Sequence, residues 1–193
     1  AAAGTVIRGG NISAGTELSI TTTVFGEVYA PLRRSEARPG DELYVTGRLG
    51  APGAALDALR RGKAAERHHG RFAHPVPRLE EARWLAANGA TAAIDISDGL
   101  VADAGHIAAA SGVGLVIDPS LLPLVEGVPT RAALVSGEEY ELLIAGRVID
   151  ASAFSERFGM PLTKVGRVVG SPKGVDVIGA RVELLRGHDH LSP

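Results

Sequence analysis

The sequence predicts a fold of mixed α and β elements, α/β (α+β), in which helices pack on a mixed sheet. Short apolar, β-branched segments typical of strands alternate with segments whose apolar residues recur at helical spacing. Glycine and proline separate these segments. Hydrophobic residues make up 45% and charged residues 22% of the 193 residues, which is typical of a globular chain that can bury a core.

The first part of the chain contains two strand-like segments. Residues 17–28 (ELSITTTVFGEV) carry β-branched residues in partial alternation. Residues 42–46 form a second apolar strand after the turn signal RPGD at residues 38–41. Because the chain starts on a strand and a glycine turn, we expect it to be cut from a longer protein.

Two helices and a loop are predicted next. Residues 50–61 and 78–88 carry apolar residues on one helical face. The intervening residues 63–77 are polar, rich in histidine and end in proline, which predicts a loop.

A β-α-β unit follows. Residues 91–96 (TAAIDI) predict a strand, residues 97–99 (SDG) a helix start, residues 100–111 a helix and residues 113–117 another strand. If the two strands are parallel, the right-handed crossover rule places them in one sheet.

The last third predicts short elements. A proline-containing loop after residue 117 leads to a strand over residues 140–145 and a helix over residues 149–158. Three late strands are predicted over residues 165–169, 175–178 and 181–185.

Composition excludes several classes of protein. The net charge of −2, with neither a basic excess nor a basic stripe, argues against a nucleic-acid partner. The absence of cysteine excludes disulfides, thiolate metal sites and cysteine nucleophiles. No apolar run is long enough to span a membrane, and the first residues lack the pattern of a secretory signal. We therefore expect a soluble, cytoplasmic protein without a membrane partner.

The segment DISDGL, residues 95–100, is a candidate metal and phosphate site. It lies at the carboxyl end of a predicted strand and at the start of a helix, an edge where α/β folds bind ligands and where helix amides favour anions. Asp95, Ser97 and Asp98 can converge there, and carboxylates suit Mg²⁺. The alternative is that Ser97 or Asp98 only caps the helix.

The segment GEEYE, residues 137–141, is a second candidate. Glu139 and Glu141 share one side of an extended strand, and Glu138 precedes them. The alternative is a solvated strand edge. Near the end of the chain, His188 and His190 resemble a metal pair, although an exposed tail is the simpler interpretation.

The order of the motifs resembles that of thiamine-monophosphate kinase, a member of the superfamily of aminoimidazole-ribonucleotide synthetase-like folds. The motifs are GGNIS, RSEARPGDELYVTGRLG, DISDGL, GEEYELL and GHDH, within residues 9–190. The resemblance implies a synthetase-like C-terminal domain at residues 29–193. Residues 1–28 would then be the last strands of an otherwise missing N-terminal, ATP-binding domain.

The activity implied by the resemblance is the ATP-dependent phosphorylation of thiamine monophosphate to thiamine diphosphate, with Mg²⁺. No side chain is assigned as catalytic, because the family relies on positioning and metal-assisted, in-line transfer. The match assigns Gly10, Asn11, Arg34 and Ser97 to the nucleotide, Asp95 and Asp98 to the metal, and Glu138 and His188 to the substrate. The family also implies a homodimer for the full-length protein.

Departures from the family pattern leave a second hypothesis open. Asn11 stands where the family has an aspartate, so its place among the metal ligands is doubtful, and His188 stands where the family has Tyr, Phe or Trp. The family's N-terminal half is absent, so we expect the 193-residue segment alone to be inactive. The alternative is a non-catalytic relative that binds only a nucleotide or a partner protein. A third hypothesis, a purine-pathway synthetase, lacks support from the GEEYE and GHDH motifs.

Overall fold

The computed structural model describes residue 4 and residues 6–63 and 68–185. Two units are distinguished along the chain, Ala1–Pro31 and Leu32–Pro193. The described residues of the first unit are all exposed and contain no helix or strand. The strand predicted over residues 17–28 is therefore not formed, because a strand needs a hydrogen-bonded neighbour and this segment has none within the described chain.

The second unit is built on one six-stranded sheet with the order β2-β4-β1-β5-β3-β6. All neighbouring strands are antiparallel except β3 and β6, which are parallel. The predicted mixed sheet is thus confirmed. The strands are β1 Glu42–Thr46, β2 Ala90–Asp95, β3 Gly114–Ile117, β4 Leu142–Gly146, β5 Leu162–Val169 and β6 Gly174–Val177.

Within the described residues, six α-helices connect the strands, and four of them match the predicted helices within two residues at each end. The helices are α1 Ala51–Arg60, α2 His69–Ala73, α3 Leu79–Ala87, α4 Leu100–Ser111, α5 Thr130–Val135 and α6 Ala151–Phe158. Helices α2 and α5 lie where the sequence predicted loops. The strand predicted over residues 181–185 is wrong, since a 3₁₀ helix spans Val182–Leu184.

The sheet is covered on both faces because its central strands alternate apolar residues between two cores. Leu43 and Val45 of β1 belong to a large core with α4, whereas Tyr44 between them belongs to a smaller core with α3 and α6. Phe154 and Trp84 pack edge to face in the smaller core, with ring centroids 5.6 Å apart. Both faces are thus buried by helices, as in layered α/β folds.

The pairing of β2 with β4 brings two distant sequence motifs together. Asp95, at the carboxyl end of β2, lies opposite Leu142, at the start of β4. The antiparallel pairs between β2 and β3 place these two strands in the same direction, separated by three other strands. Helix α4 is the crossover between them, so the predicted β-α-β unit is confirmed, with non-adjacent strands.

Within the part of the chain that the structure describes, none of the helices has the length and apolar character that a membrane span requires.

Candidate active site

The DISDGL and GEEYE segments form a hydrogen-bonded pair of loops. Ile96 donates its backbone N–H to the Glu141 carbonyl at 2.8 Å, and Tyr140 donates to the Ile96 carbonyl at 2.9 Å. Glu138 donates its backbone N–H to the Ser97 carbonyl at 2.9 Å. The two candidate motifs of the sequence therefore meet at one edge of the sheet.

Glycines permit the close approach of these loops. A Cβ atom on Gly137 would lie 2.2 Å from the Ser97 carbonyl oxygen. Gly99 has a φ of +117°, and a Cβ there would lie 2.7 Å from the Val135 carbonyl oxygen. A larger residue at either position would push the loops apart.

The second loop also contains backbone strain. Glu138 and Tyr140 adopt φ values of +64° and +49°, in the left-handed region that non-glycine residues rarely occupy. Such conformations cost about 1–3 kcal/mol each and persist where the surrounding structure imposes them, often at functional sites. The Glu138 side chain remains exposed.

Asp103 of α4 holds the DISDGL loop from the other side. Its buried Oδ2 accepts the backbone N–H groups of Ser97, Asp98 and Gly99 at 3.0, 3.0 and 3.1 Å. Burial raises the pKa of this carboxyl to about 6, and the nearby Asp98 carboxylate adds to the increase.

This arrangement corrects two expectations for the helix start. The Gly99 position caps α4 without a side-chain hydrogen bond, so neither Ser97 nor Asp98 acts as the cap. The amides of Ser97, Asp98 and Gly99, which directly precede α4, donate to Asp103 and are not available to an external anion. The N-terminal region of α4 therefore does not offer these three amides to a phosphate.

A cavity of about 740 Å³ opens beside this loop. Four of the predicted site residues line it together, two carboxylates, one hydroxyl and one guanidinium: Asp95, Asp98, Ser97 and Arg34. Arg33 and His106 line it as well. The cavity thus combines groups that bind cations with groups that bind anions.

Asp98, Asp103 and His106 form a cluster that the sequence did not reveal. One potential ligand atom from each residue lies within 4.8 Å of the others, and His106 Nε2 is 3.9 Å from Asp98 Oδ2. Asp103 and His106 are three positions apart on α4 and share a helical face. That spacing could have been noticed, but an Asp and a His inside a helix more often lie on a solvated face.

Glu141 is buried and fully paired, so the solvated strand edge that we considered is wrong. Arg78 Nε and Nη2 donate to its two oxygens at 2.9 and 2.7 Å. Arg71 Nη2 and Thr46 Oγ1 donate to it at 2.6 and 2.7 Å. Two guanidinium groups thus compensate the burial of one carboxylate.

Glu139 is buried with one oxygen unpaired. Its Oε1 accepts the Gly50 backbone N–H at 2.6 Å, immediately before α1, while its Oε2 has no hydrogen-bond partner. Burial raises the pKa of Glu139 to about 7, despite the opposing effects of this hydrogen bond and of the Arg71 charge. The two glutamates of this motif therefore support the loop from within the protein.

The other predicted site residues are Gly10, Asn11, Glu138 and His188. Gly10 and Asn11 belong to the first unit, where both are exposed. Glu138 joins the loop through its backbone and is not among the residues lining the cavity. His188 falls outside the residues that the structure describes.

Comparison with known proteins shows which family this chain matches. The family described as "AIR synthase related protein, C-terminal domain" matches residues 38–179. A thiamine-monophosphate kinase of Methanopyrus kandleri is 39% identical over 188 residues, covering 91% of this chain and 59% of that relative. The chain thus spans less than two thirds of that protein's length.

Solved structures show the same similarity. A thiamine-monophosphate kinase from Stenotrophomonas maltophilia superimposes with a TM-score of 0.72 at 33% identity, covering 78% of this chain and 54% of that one. AaThiL complexed with AMPPCP and TMP superimposes with a TM-score of 0.70 at 34% identity, covering 82% and 54%. The synthetase-like fold and the resemblance to thiamine-monophosphate kinases expected from the sequence are both confirmed.

Proposed function

This chain belongs to the family of AIR synthase related proteins through its C-terminal domain, and from that premise we propose that it is part of an ATP-dependent thiamine-monophosphate kinase. The reaction transfers a phosphate group from ATP to thiamine monophosphate and yields thiamine diphosphate. The similarity to thiamine-monophosphate kinases over most of this chain supports the proposal. The complex of AaThiL with AMPPCP and TMP supports the same pair of ligands.

The observation that carries the proposal is the mixed lining of the 740 Å³ cavity. Asp95 and Asp98 supply the carboxylates, and Arg34 supplies the guanidinium. Phosphoryl transfer needs little covalent chemistry from the protein and depends on positioning and charge neutralisation. A cavity with these groups fits that requirement.

The donor set fits Mg²⁺. Asp95 is exposed and Asp98 is half-buried, so both carboxylates face a solvated cavity and offer hard oxygen ligands. A bound Mg²⁺ would neutralise the charge on the phosphate groups. Asp95 and Asp98 hold the cation, Ser97 contacts the nucleotide, and Arg34 binds phosphate oxygens, where its planar fork offers two donors.

The finer assignments rest on the family pattern. Gly10 and Asn11 are proposed to contact the nucleotide, Glu138 to contact the substrate, and His188 to pack against its thiamine moiety. A homodimer and a cytoplasmic location also stay predictions.

One observation favours the alternative of a non-catalytic relative. Asn11 carries no charge where the family has an aspartate, so one metal ligand is weakened. A protein of this kind would bind ATP and Mg²⁺ without turnover. The retention of Asp95, Ser97 and Asp98 around one cavity favours the kinase.

The test is an assay of ADP release on the full-length product of the gene that encodes this chain. We expect ADP release that depends on thiamine monophosphate and stops when Mg²⁺ is removed. ATP binding without any release of ADP would support the non-catalytic alternative. Transfer to another acceptor at a higher kcat/KM would overturn the substrate.

A further inference from the structure

The DISDGL loop is fixed by a charged group of the protein itself. Asp103 is 1% exposed, and its Oδ2 accepts three consecutive amides, those of Ser97, Asp98 and Gly99. Hydrogen bonds from amides to a carboxylate are stronger than neutral ones. This single side chain therefore determines the backbone conformation on both sides of Asp98.

The opposite side of the DISDGL loop is closely packed. The Gly99 position lies against the Val135 backbone, and the Ser97 carbonyl lies against Gly137 and accepts the Glu138 N–H. The loop is thus held between α4 and the segment of residues 135–138.

Consecutive amides that point to one place normally form an anion site. Here a carboxylate of the same chain occupies it, so an incoming phosphate meets no free amide from residues 97–99. A cation held at Asp98 and the guanidinium of Arg34 are then the groups of the cavity lining that we expect to bind phosphate.

We propose that Asp103 is a positioning residue that fixes Asp98 at the cavity for a divalent cation. By accepting the amides of residues 97–99, it also prevents these amides from binding phosphate. This inference rests on the proposed function, because it assumes that Asp98 is a cation ligand. Asp103 also lines the cavity, but its Oδ2 is occupied by three backbone amides, so we infer that it acts through the backbone of Ser97, Asp98 and Gly99. Groups that orient metal ligands commonly contribute about tenfold or more to metal affinity.

The experiment measures Mn²⁺ binding by electron paramagnetic resonance, without nucleotide, together with hydrogen exchange of the amides of residues 97–99. Asp103→Ala removes the acceptor and the charge, whereas Asp103→Asn removes the charge and keeps an acceptor. Asp118→Asn is the matched control. Asp118 also accepts a backbone amide, that of Ser120, but at an exposed site that does not line the cavity.

We expect Asp103→Ala to weaken Mn²⁺ binding by about tenfold or more and to accelerate exchange of the three amides. Asp103→Asn should have a smaller effect on both, and Asp118→Asn none. Unchanged Mn²⁺ affinity in Asp103→Asn and Asp103→Ala overturns the proposal. Equal weakening in both, with unchanged exchange, also overturns it, because charge alone would then act. If Asp103→Ala does not fold, Asp103→Asn alone decides by the same two measurements.

The result is separable from the test of the reaction. Mn²⁺ binding that depends on Asp103, in a protein that releases no ADP, supports the positioning role and overturns only the kinase. Release of ADP from ATP that depends on thiamine monophosphate, with Mn²⁺ affinity independent of Asp103, supports the kinase and overturns only the positioning role. A wild-type protein that binds no Mn²⁺ overturns the positioning role itself.

Discussion

Arg78 and Glu141 form a two-point ion pair inside the protein, with Nε to Oε2 at 2.9 Å and Nη2 to Oε1 at 2.7 Å. The arginine precedes α3 and the glutamate precedes β4, so the pair connects a helix to the strand beside the candidate site. Only 12% of the arginine side chain and none of the glutamate side chain is exposed. Their interaction is therefore little screened by solvent.

Arg78→Ala should lower the free energy of unfolding by about 3 kcal/mol, because it leaves part of a buried charge uncompensated. Arg71 and Thr46 remain on Glu141 and limit the loss. Denaturant unfolding measures the change. The matched control is Arg83→Ala, whose ion pair with Glu80 is exposed on α3 and should contribute less than about 1 kcal/mol. Equal losses in the two variants would contradict the buried role of Arg78.

Gly137→Ala should separate the two loops of the site. Its Cβ would lie 2.2 Å from the Ser97 carbonyl oxygen, so we expect a loss of about 1–3 kcal/mol and weaker Mn²⁺ binding. Gly105→Ala is the control within α4, where the nearest atom to a Cβ, on Val175, is 4.0 Å away. That variant should gain about 0.5–1 kcal/mol from helix propensity. Thermal unfolding with Mn²⁺ titration measures both, and a stable, fully binding Gly137→Ala would refute the steric argument.

Stability should depend on pH through Glu139. The unfolded chain loses the Glu139 proton near the ordinary pKa of 4.5, whereas the folded chain keeps it to a pKa of about 7. Between these values the folded state binds more protons, so raising the pH lowers the free energy of unfolding. The contribution is complete below the lower value and is lost above the higher one, with a total of about 3 kcal/mol.

Glu139→Gln should remove this part of the pH dependence, since the amide oxygen can still accept the Gly50 N–H. Urea unfolding at several pH values from 4.5 to 7.5 measures the difference between the variant and the wild type. Glu156→Gln, at an exposed position of α6, is the control and should leave the profile unchanged. Parallel profiles for wild type and Glu139→Gln would show that Glu139 ionises as in the unfolded chain.

Asp98→Asn should weaken the cation site while the fold persists. The Asp98 side chain lines the cavity and does not cap α4, so its replacement by an amide does not remove a helix cap. We expect about a tenfold or greater loss of kcat/KM for ATP, recovered in part at high Mg²⁺. Asp57→Asn, on the exposed face of α1, is the control. A wild-type Mg²⁺ dependence in Asp98→Asn would remove Asp98 from the ligands.

The elements that the sequence predicted best are those with local signals. Helix α4 has apolar residues at helical spacing and ends before Gly112, whose φ is +67°. Helix α5 was missed because Pro129 was interpreted as part of a loop, although proline is compatible with the position before a helix. Helix α2 contains Gly70 among histidines, and it has no buried residue that would give it an apolar period.

From residue patterns alone, the site was predictable only where it follows from the end of a strand, whereas Arg34 was assigned through the resemblance to the family. Asp95, Ser97 and Asp98 were found because β2 ends there. Asp103 was missed because its three partners are backbone amides, which a sequence does not display. A solvated strand edge stayed open as the alternative for GEEYE because Arg78, the arginine that neutralises Glu141, is 63 residues away in the chain.

The position of β2 at one edge of the sheet has a consequence for the order in which parts of the protein unfold. Among the residues that the structure describes, β2 has a hydrogen-bonded neighbour on one side only, β4, and regions of this kind open before the centre of a sheet does. Fraying of β2 would carry Asp95 away from the Arg34 side of the cavity while β1, β5 and β3 stay paired. Ligand affinity should therefore decline with temperature ahead of global melting. A bound cation or nucleotide, by mass action, would protect this margin of the sheet first.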